Sequence, residues 1–247
     1  MEEIKILEET YKNQSCFEFL PTIPSKSVNL ILIDPPYEIS RTTNFQSGEE
    51  TGTDTDRFRI SMDFGDWDKN FFGLEKVFKE AQRILVDGGT MICFYDLWKI
   101  ETIKQYYENN KFKQIRFLEW IKTNPVPINS KINYLTNARE VAVLGIKKSK
   151  PTFNSSYDKG IYEYPICHEK GRFHPTQKPL ELMEALILKH SNEGDTVLDC
   201  FAGSGTTGVA AIKNNRKFIG CEISPEYYSQ SLERLKKIDK NEKLNYN

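Results

Sequence analysis

At residues 29–40 the sequence reads NLILIDPPYEIS. The apolar run Leu30 to Ile33 ends in Asp34-Pro35-Pro36-Tyr37. Proline cannot donate to a sheet ladder, and it stiffens the backbone. The tetrapeptide therefore reads as a rigid corner at the end of a buried strand. It holds one carboxylate and one aromatic ring at fixed positions. What those two groups hold has to come from the rest of the chain.

A second constellation is DTVLDCFAGSGTTGVAAIKNNRKFIGCEIS at 195–224. A strand from Thr196 to Asp199 runs into Gly203-Ser204-Gly205 and then a helix. The next strand ends at Glu222, 23 residues after Asp199. Glycines let the backbone turn tightly and approach a ligand closely. In nucleotide-binding α/β folds an acid about 20 residues further on binds ribose hydroxyls. The pattern points to an adenosine-containing cofactor. Gly203, Gly205 and Gly208 also satisfy dinucleotide spacing, but Asp199 stands ahead of the first glycine. A pyrophosphate gains little from a carboxylate beside it. S-adenosylmethionine, with its sulfonium, ammonium and ribose, suits the site better. The alternative is a tight strand–helix turn with no ligand, which leaves the joint occurrence of both acids and the glycines unexplained.

These corners need elements to position them. Short apolar runs alternate with helical patterns, which predicts an α/β fold with a largely parallel sheet. Seven strands are expected at about 4–7, 28–34, 90–95, 114–121, 139–146, 195–199 and 217–222. Helices fit at about 72–86, 97–110, 179–190, 206–214 and 225–237. Asp87-Gly88-Gly89 reads as a helix stop followed by a turn. Two segments lack periodicity, 38–66 and 147–175. Structureless stretches of that length are usually lids or binding loops, and substrate-specific contacts are expected in both.

The bulk numbers narrow the class. The chain has 247 residues, 38% hydrophobic and 28% charged, as in a soluble domain. No apolar run is long enough to span a membrane. The first ten residues, MEEIKILEET, lack the apolar core of a signal peptide, so a cytoplasmic protein is expected. Five cysteines with no C-x-x-C pair suggest neither a disulfide framework nor a zinc site. Cys167, His168 and His174 lie close in sequence but match no ligand spacing, so no metal is expected. The net charge is −1, yet residues 111–150 hold nine Lys/Arg against Glu119 and Glu140. That excess of +7 is either a footprint for phosphates or a solvated surface.

Together the corners resemble the β group of DNA amino-methyltransferases, which methylate exocyclic amines of bases. The resemblance rests on D-P-P-Y (Asp34 to Tyr37), then HPTQKP at 174–179, then D-x-F-x-G-x-G (Asp199, Phe201, Gly203, Gly205), in that order. It covers nearly the whole chain. It implies one domain of the S-adenosylmethionine-dependent methyltransferase type: doubly wound, mostly parallel, seven-stranded, with inserted target-recognition loops. The catalytic half would span 28–146, the target-recognition insertion 147–173 and the cofactor half 174–237.

The resemblance also implies roles. Asp34 and the Pro35 carbonyl would each accept one N–H of the target amine, held by the rigid Pro36 corner. Tyr37 would stack on a flipped-out base; its alternative is a half-buried core aromatic. Asp199, Phe201, Gly203, Ser204, Gly205 and Thr206 would line the cofactor, with Glu222 on the ribose. Thr207 offers another hydroxyl or simply faces the sheet. Thr176 and Lys178 would reach the cofactor carboxylate; Lys178 reads equally as a surface lysine at a helix start. Lys122 and Asn124, in WIKTNPVPINSKINYL at 120–135, would line the target pocket, unless that element is an ordinary hairpin loop. Because 147–173 is short, Arg41, Arg57 and Arg59 are expected to share in reading DNA.

The function so implied is site-specific transfer of a methyl group from S-adenosylmethionine to adenine N6 in DNA, within a restriction–modification system. The partner is double-stranded DNA. The run DRFRISMDFGDWD at 56–68 resembles a segment of small companion enzymes of GATC systems, some of which accept single strands. Homodimers are common in the group. The rivals are a cytosine-N4 enzyme, an RNA base methyltransferase and an inactive nucleic-acid-binding subunit. A nicotinamide dehydrogenase is disfavoured by D-P-P-Y and by the lack of an acid–base histidine.

Overall fold

The computed structural model describes residues 7–36, 73–125, 136–167 and 172–242. Tyr37, Arg41, Arg57, Arg59, the rest of the 38–66 loop and residues 126–135 lie outside the described residues. The strands are β1 (Tyr11–Asn13), β2 (Val28–Ile33), β3 (Leu85–Tyr95), β4 (Phe112–Lys122), β5 (Arg139–Lys147), β6 (Ile161–Tyr164), β7 (Thr196–Asp199) and β8 (Lys217–Glu222). The helices are α1 (Cys16–Phe19), α2 (Leu74–Ile84), α3 (Ile100–Asn109), α4 (Leu180–His190), α5 (Thr206–Lys213) and α6 (Pro225–Glu242). All eight strands join one sheet in the order β1-β8-β7-β2-β3-β5-β4-β6. Neighbours are parallel except β3 with β5 and β4 with β5.

β2 shows why the domain has three layers. Successive side chains of a strand point to opposite faces. Ile31 and Ile33 enter a core shared with Leu74, Phe78, Ile103 and Tyr107. Leu30 and Leu32 enter the opposite core with Leu182, Leu186, Val209 and Leu235. A strand buried on both faces reads as a continuous apolar run, which is how LILI appears. α2 follows the same logic, burying Leu74, Val77, Phe78, Ala81 and Ile84 along one helical stripe.

β2 is also where the winding reverses. The chain leaves β2 towards β3 on one side and leaves β7 towards β8 on the other. Ligands in such sheets bind outside the carboxyl ends of the strands at this switch point. Ile31 pairs with Leu198, so Asp34 and Asp199, 165 residues apart, end neighbouring strands.

Three expectations change. The sheet has eight strands among the described residues, not seven. The expected strand at 4–7 falls mostly outside those residues, and Leu7 is helical; the edge strand is β1. The addition is β6, inside what reads as a loop, where Ile161–Tyr164 pairs with Glu119–Lys122 of β4. Four residues at a sheet edge carry too little alternation to stand out, and a long partner strand organises them.

The turn expected at Asp87-Gly88-Gly89 is absorbed into β3. Register with β2 jumps from Val28↔Leu85 to Leu30↔Thr90. Gly88 has φ 91°, and a Cβ there would lie 2.7 Å from the Lys150 carbonyl oxygen. The glycines thus make an irregular strand segment instead of a break.

The start of the expected insertion, 148–160, follows β5 at the sheet edge away from Asp34. Its Asn154 carboxamide donates to the Leu188 and Ser191 carbonyls at 3.0 and 2.9 Å, docking it on the end of α4. Only from β6 onward does the segment run towards the carboxyl edge, where the Ile166 amide donates to Asn124 Oδ1 at 2.7 Å. All five cysteines are buried thiols without disulfides.

Candidate functional site

The glycine corner follows β7 directly. Gly203 has φ 50° and Gly205 φ 74°, in the left-handed region where glycine is favoured. A Cβ on Gly203 would meet His174 Nε2 at 3.2 Å, and one on Gly205 would meet Ser231 Cβ at 3.0 Å. HPTQKP therefore packs on the glycine corner through His174. Burial pushes the His174 pKa down to about 4, so its imidazole is neutral at physiological pH. Its Nδ1 lies 3.2 Å from the exposed Thr176 hydroxyl.

Asp199 is buried at the end of β7. Its Oδ1 accepts from the Phe201 amide at 2.9 Å and its Oδ2 from the Thr207 hydroxyl at 2.6 Å. Thr207 thus orients Asp199 from the first turn of α5. Burial pushes the Asp199 pKa up to about 7, against those two hydrogen bonds. Glu222 closes the corner from β8. Its Oε2 accepts from the Gly203 amide at 2.7 Å and its Oε1 from the Ser224 amide at 2.8 Å. Burial holds its pKa above the usual range despite these donors. The Ile223 amide also faces Glu222, and each carboxylate keeps at least one further lone-pair site. The Ser204 and Thr206 hydroxyls are buried and lie 2.9 Å apart. The Arg234 guanidinium donates to Thr206 Oγ1 at 2.9 Å and to the Ser204 carbonyl at 3.2 Å. Those hydroxyls belong to an internal network with α6, a contact that α6's sequence does not advertise.

At the corner after β2, Asp34 is partly exposed and Pro35 buried. The Lys178 ammonium contacts Asp34 Oδ2 and lies 3.0 Å from Glu140 Oε2. Lys178 is only 6% exposed, so it is no surface lysine. Its expected partner was the cofactor carboxylate; the ammonium instead joins two protein carboxylates. The Lys122 ammonium lies 2.8 Å from Glu140 Oε1 and 5.3 Å from the Trp120 ring centroid. Glu140 is the residue that sequence reasoning passed over, counting it only as an acid in a basic stretch. An acid opening the apolar strand VAVLG was the available signal. Burial raises its pKa, but the Lys178 and Lys122 ammonium groups hold it below the ordinary value.

Some cations of the basic stretch pair within the domain, while Lys111, Lys113, Arg116, Arg139, Lys148 and Lys150 are exposed. The Lys147 ammonium donates to the Leu85 carbonyl at 2.6 Å, Lys148 lies 3.6 Å from Asp87, and Arg139 lies 3.9 Å from Glu119. Of these three, only Lys147 is buried. Among the described residues no cluster of three His, Cys, Asp or Glu side chains could hold a metal ion, and no helix is long and apolar enough to cross a membrane.

Residues 28–233 match the family model described as DNA methylase, of the N6/N4 type. The chain is 32% identical over 240 residues to the Type II methyltransferase M2.DpnII of Streptococcus pneumoniae, covering 89% of this chain and 86% of that protein. It is 32% identical over 246 residues to the DNA adenine methyltransferase YhdJ of Escherichia coli K12, covering 87% and 79%. The M1.HpyAVI–SAM complex superposes with a TM-score of 0.67 at 29% identity, covering 92% of this chain and 99% of that one. The cytosine-N4-specific PvuII DNA methyltransferase shares the fold, with a TM-score of 0.69 at 18% identity. With the family model spanning both corners and the strands between them, the chain belongs to the N6/N4 DNA methylase family.

Proposed function

We propose that the protein transfers a methyl group from S-adenosylmethionine to the exocyclic N6 of adenine in DNA, as the modifying enzyme of a restriction–modification system. The observation that carries this reading is the adjacency of the two corners at the winding switch point. Two relatives at 32% identity support it, one named a Type II methyltransferase and the other a DNA adenine methyltransferase.

The residues fit the cofactor. Asp199 is a buried carboxylate whose ionisation is unfavourable until a cation arrives. The ammonium of the methionyl part is such a cation. Glycines at 203 and 205 keep the wall of the corner free of side chains, and Glu222 would take the ribose hydroxyls with its remaining acceptor sites. When bound, S-adenosylmethionine supplies an electrophilic methyl carbon, whose bond to sulfur breaks with the electron pair going to sulfur as the bond to nitrogen forms.

A purine amine is a poor nucleophile, because its lone pair is delocalised into the ring. Asp34 would accept one N–H and the Pro35 carbonyl the other, returning electron density to nitrogen and aiming it at the methyl carbon. The nitrogen sheds a proton to water after attack, so Asp34 need act beforehand only as an acceptor. Tyr37, beyond the described residues, would stack on a base brought out of the duplex. Lys122 and Asn124 would flank that base, and Arg41, Arg57 and Arg59 would contact DNA.

The deciding assay incubates the protein with S-adenosylmethionine and unmethylated duplex or single-stranded DNA, digests to nucleosides, and identifies the product by mass and retention time. N6-methyladenine is expected; N4-methylcytosine in its place overturns the target. Glu222→Ala should weaken cofactor binding by about 1–3 kcal/mol, the cost of a charge-assisted hydrogen bond. Unchanged affinity by calorimetry would remove Glu222 from the ribose role.

A further inference from the structure

Four charged side chains alternate in sign across the catalytic corner: Asp34 after β2, Lys178 before α4, Glu140 in β5 and Lys122 in β4. Each link is an ion pair. The Lys178 ammonium is buried against the Phe94 ring, 5.2 Å from its centroid. An ammonium taken out of water must be opposed by charge and hydrogen bonds. Here two carboxylates share it. Glu140 is in turn balanced by Lys122, so the row is neutral as a whole.

Sharing matters because of what Asp34 does. If Lys178 had Asp34 as its sole carboxylate partner, the full positive charge would rest on the group that must accept a hydrogen bond from a neutral amine. That would draw electron density away from the acceptor. Without Lys178, Asp34 would lose a buried ion-pair contact that helps to orient it. A lysine divided between two carboxylates avoids both outcomes: it anchors Asp34 and leaves it a good acceptor.

Building on the adenine-methylation reading above, we propose that Glu140 is a positioning residue for methyl transfer, acting on Asp34 through Lys178. The competing role for Glu140 is plain anchoring of Lys122 at the end of β4, where Trp120 pairs with Glu140. The two differ in one respect. A residue that acts through Lys178 has nothing to act on once Lys178 is gone.

The test is a double-mutant cycle on kcat for N6-methyladenine formation, using Glu140→Gln, Lys178→Met and the pair, with the cofactor Kd measured for each. Glu140→Gln alone is expected to lower kcat about tenfold or more while Kd stays within about twofold. Glu140→Asp, which keeps the charge, should recover most of that loss. In the Lys178→Met background, Glu140→Gln should change kcat by less than about twofold. A further tenfold loss in that background overturns the inference, as does an effect on Kd in place of kcat. Should Glu140→Gln melt below the assay temperature, the same cycle is run at a lower temperature at which all four proteins are folded. Absence of adenine methylation by the unmodified chain overturns the proposed function and this inference with it. N6-methyladenine formation with a failed cycle overturns this inference alone.

Discussion

Asp34→Ala is expected to lower the rate of methyl transfer by about 10³-fold or more, equivalent to about 4 kcal/mol of barrier, with the cofactor Kd moving less than about threefold. The separation of effects follows from the topology. Asp34 follows β2 directly, whereas the glycine corner is made by β7, α5 and β8 and is internally braced. Asp199 is held by Phe201 and Thr207, and Glu222 by Gly203 and Ser224. None of those bonds involves Asp34. The fold should survive as well, because Lys178 keeps Glu140 at 3.0 Å when Asp34 is removed. Asp34→Asn should fall between wild type and alanine: it retains an acceptor oxygen but is a weaker acceptor and no longer pairs with the Lys178 ammonium as a charge. Single-turnover rates with cofactor prebound, alongside calorimetric Kd values, separate the two effects. A full rate in Asp34→Ala would remove the carboxylate from the chemistry. A matching collapse of cofactor affinity would move Asp34 into the cofactor site.

The contrast between Asp34 and Glu140 shows which features are legible in a sequence. Asp34 is announced by its neighbours, since an apolar run of four followed by two prolines specifies a strand end without tertiary information. The same holds for Asp199 and the glycines, where strand, turn and helix are consecutive. Glu140 has its meaning only through register. It lies beside Trp120 on β4 and reaches Lys178 from a segment 38 residues further along. No local pattern encodes that meeting. β6 escapes for a related reason, because a four-residue edge strand depends on its partner. The glycines at 88 and 89 mislead in the opposite sense: they do mark an irregularity, but the sheet continues through it. The basic stretch was legible as composition, but nothing local marks Lys147 as the member whose ammonium lies against the Leu85 carbonyl inside the domain.

Asp199 yields the second large effect, and it changes sign between stability and binding. The Asp199 pKa rises from an ordinary 3.8 to about 7 on folding, because burial disfavours the charged form. A group whose folded pKa is raised stabilises the fold at low pH. That contribution is lost as pH rises from about 4 to about 7, the window between the unfolded and folded values. Three pKa units correspond to a cost on the order of 4 kcal/mol at pH 8 in the cofactor-free protein. Asp199→Asn removes the charge and keeps the shape: its oxygen can accept from the Phe201 amide and its amino group can donate to Thr207. The cofactor-free variant should therefore melt several degrees higher than wild type at pH 8, at about 2–4 °C per kcal/mol for a chain of this size. The gap should close near pH 4. Cofactor binding should move the other way. A bound ammonium stabilises the ionised carboxylate, so wild-type affinity should rise about tenfold per unit from pH 5 to pH 7 as Asp199 gives up its proton. Asp199→Asn should bind at least about 100-fold more weakly at pH 7 and show no such slope. Calorimetry in buffers of different ionisation enthalpy would read the released proton directly. If the wild-type protein binds cofactor with no proton release between pH 5 and 7, Asp199 does not hold the ammonium. A lower melting temperature for the cofactor-free variant at pH 8 would mean that its two hydrogen bonds outweigh the cost of burying the charge.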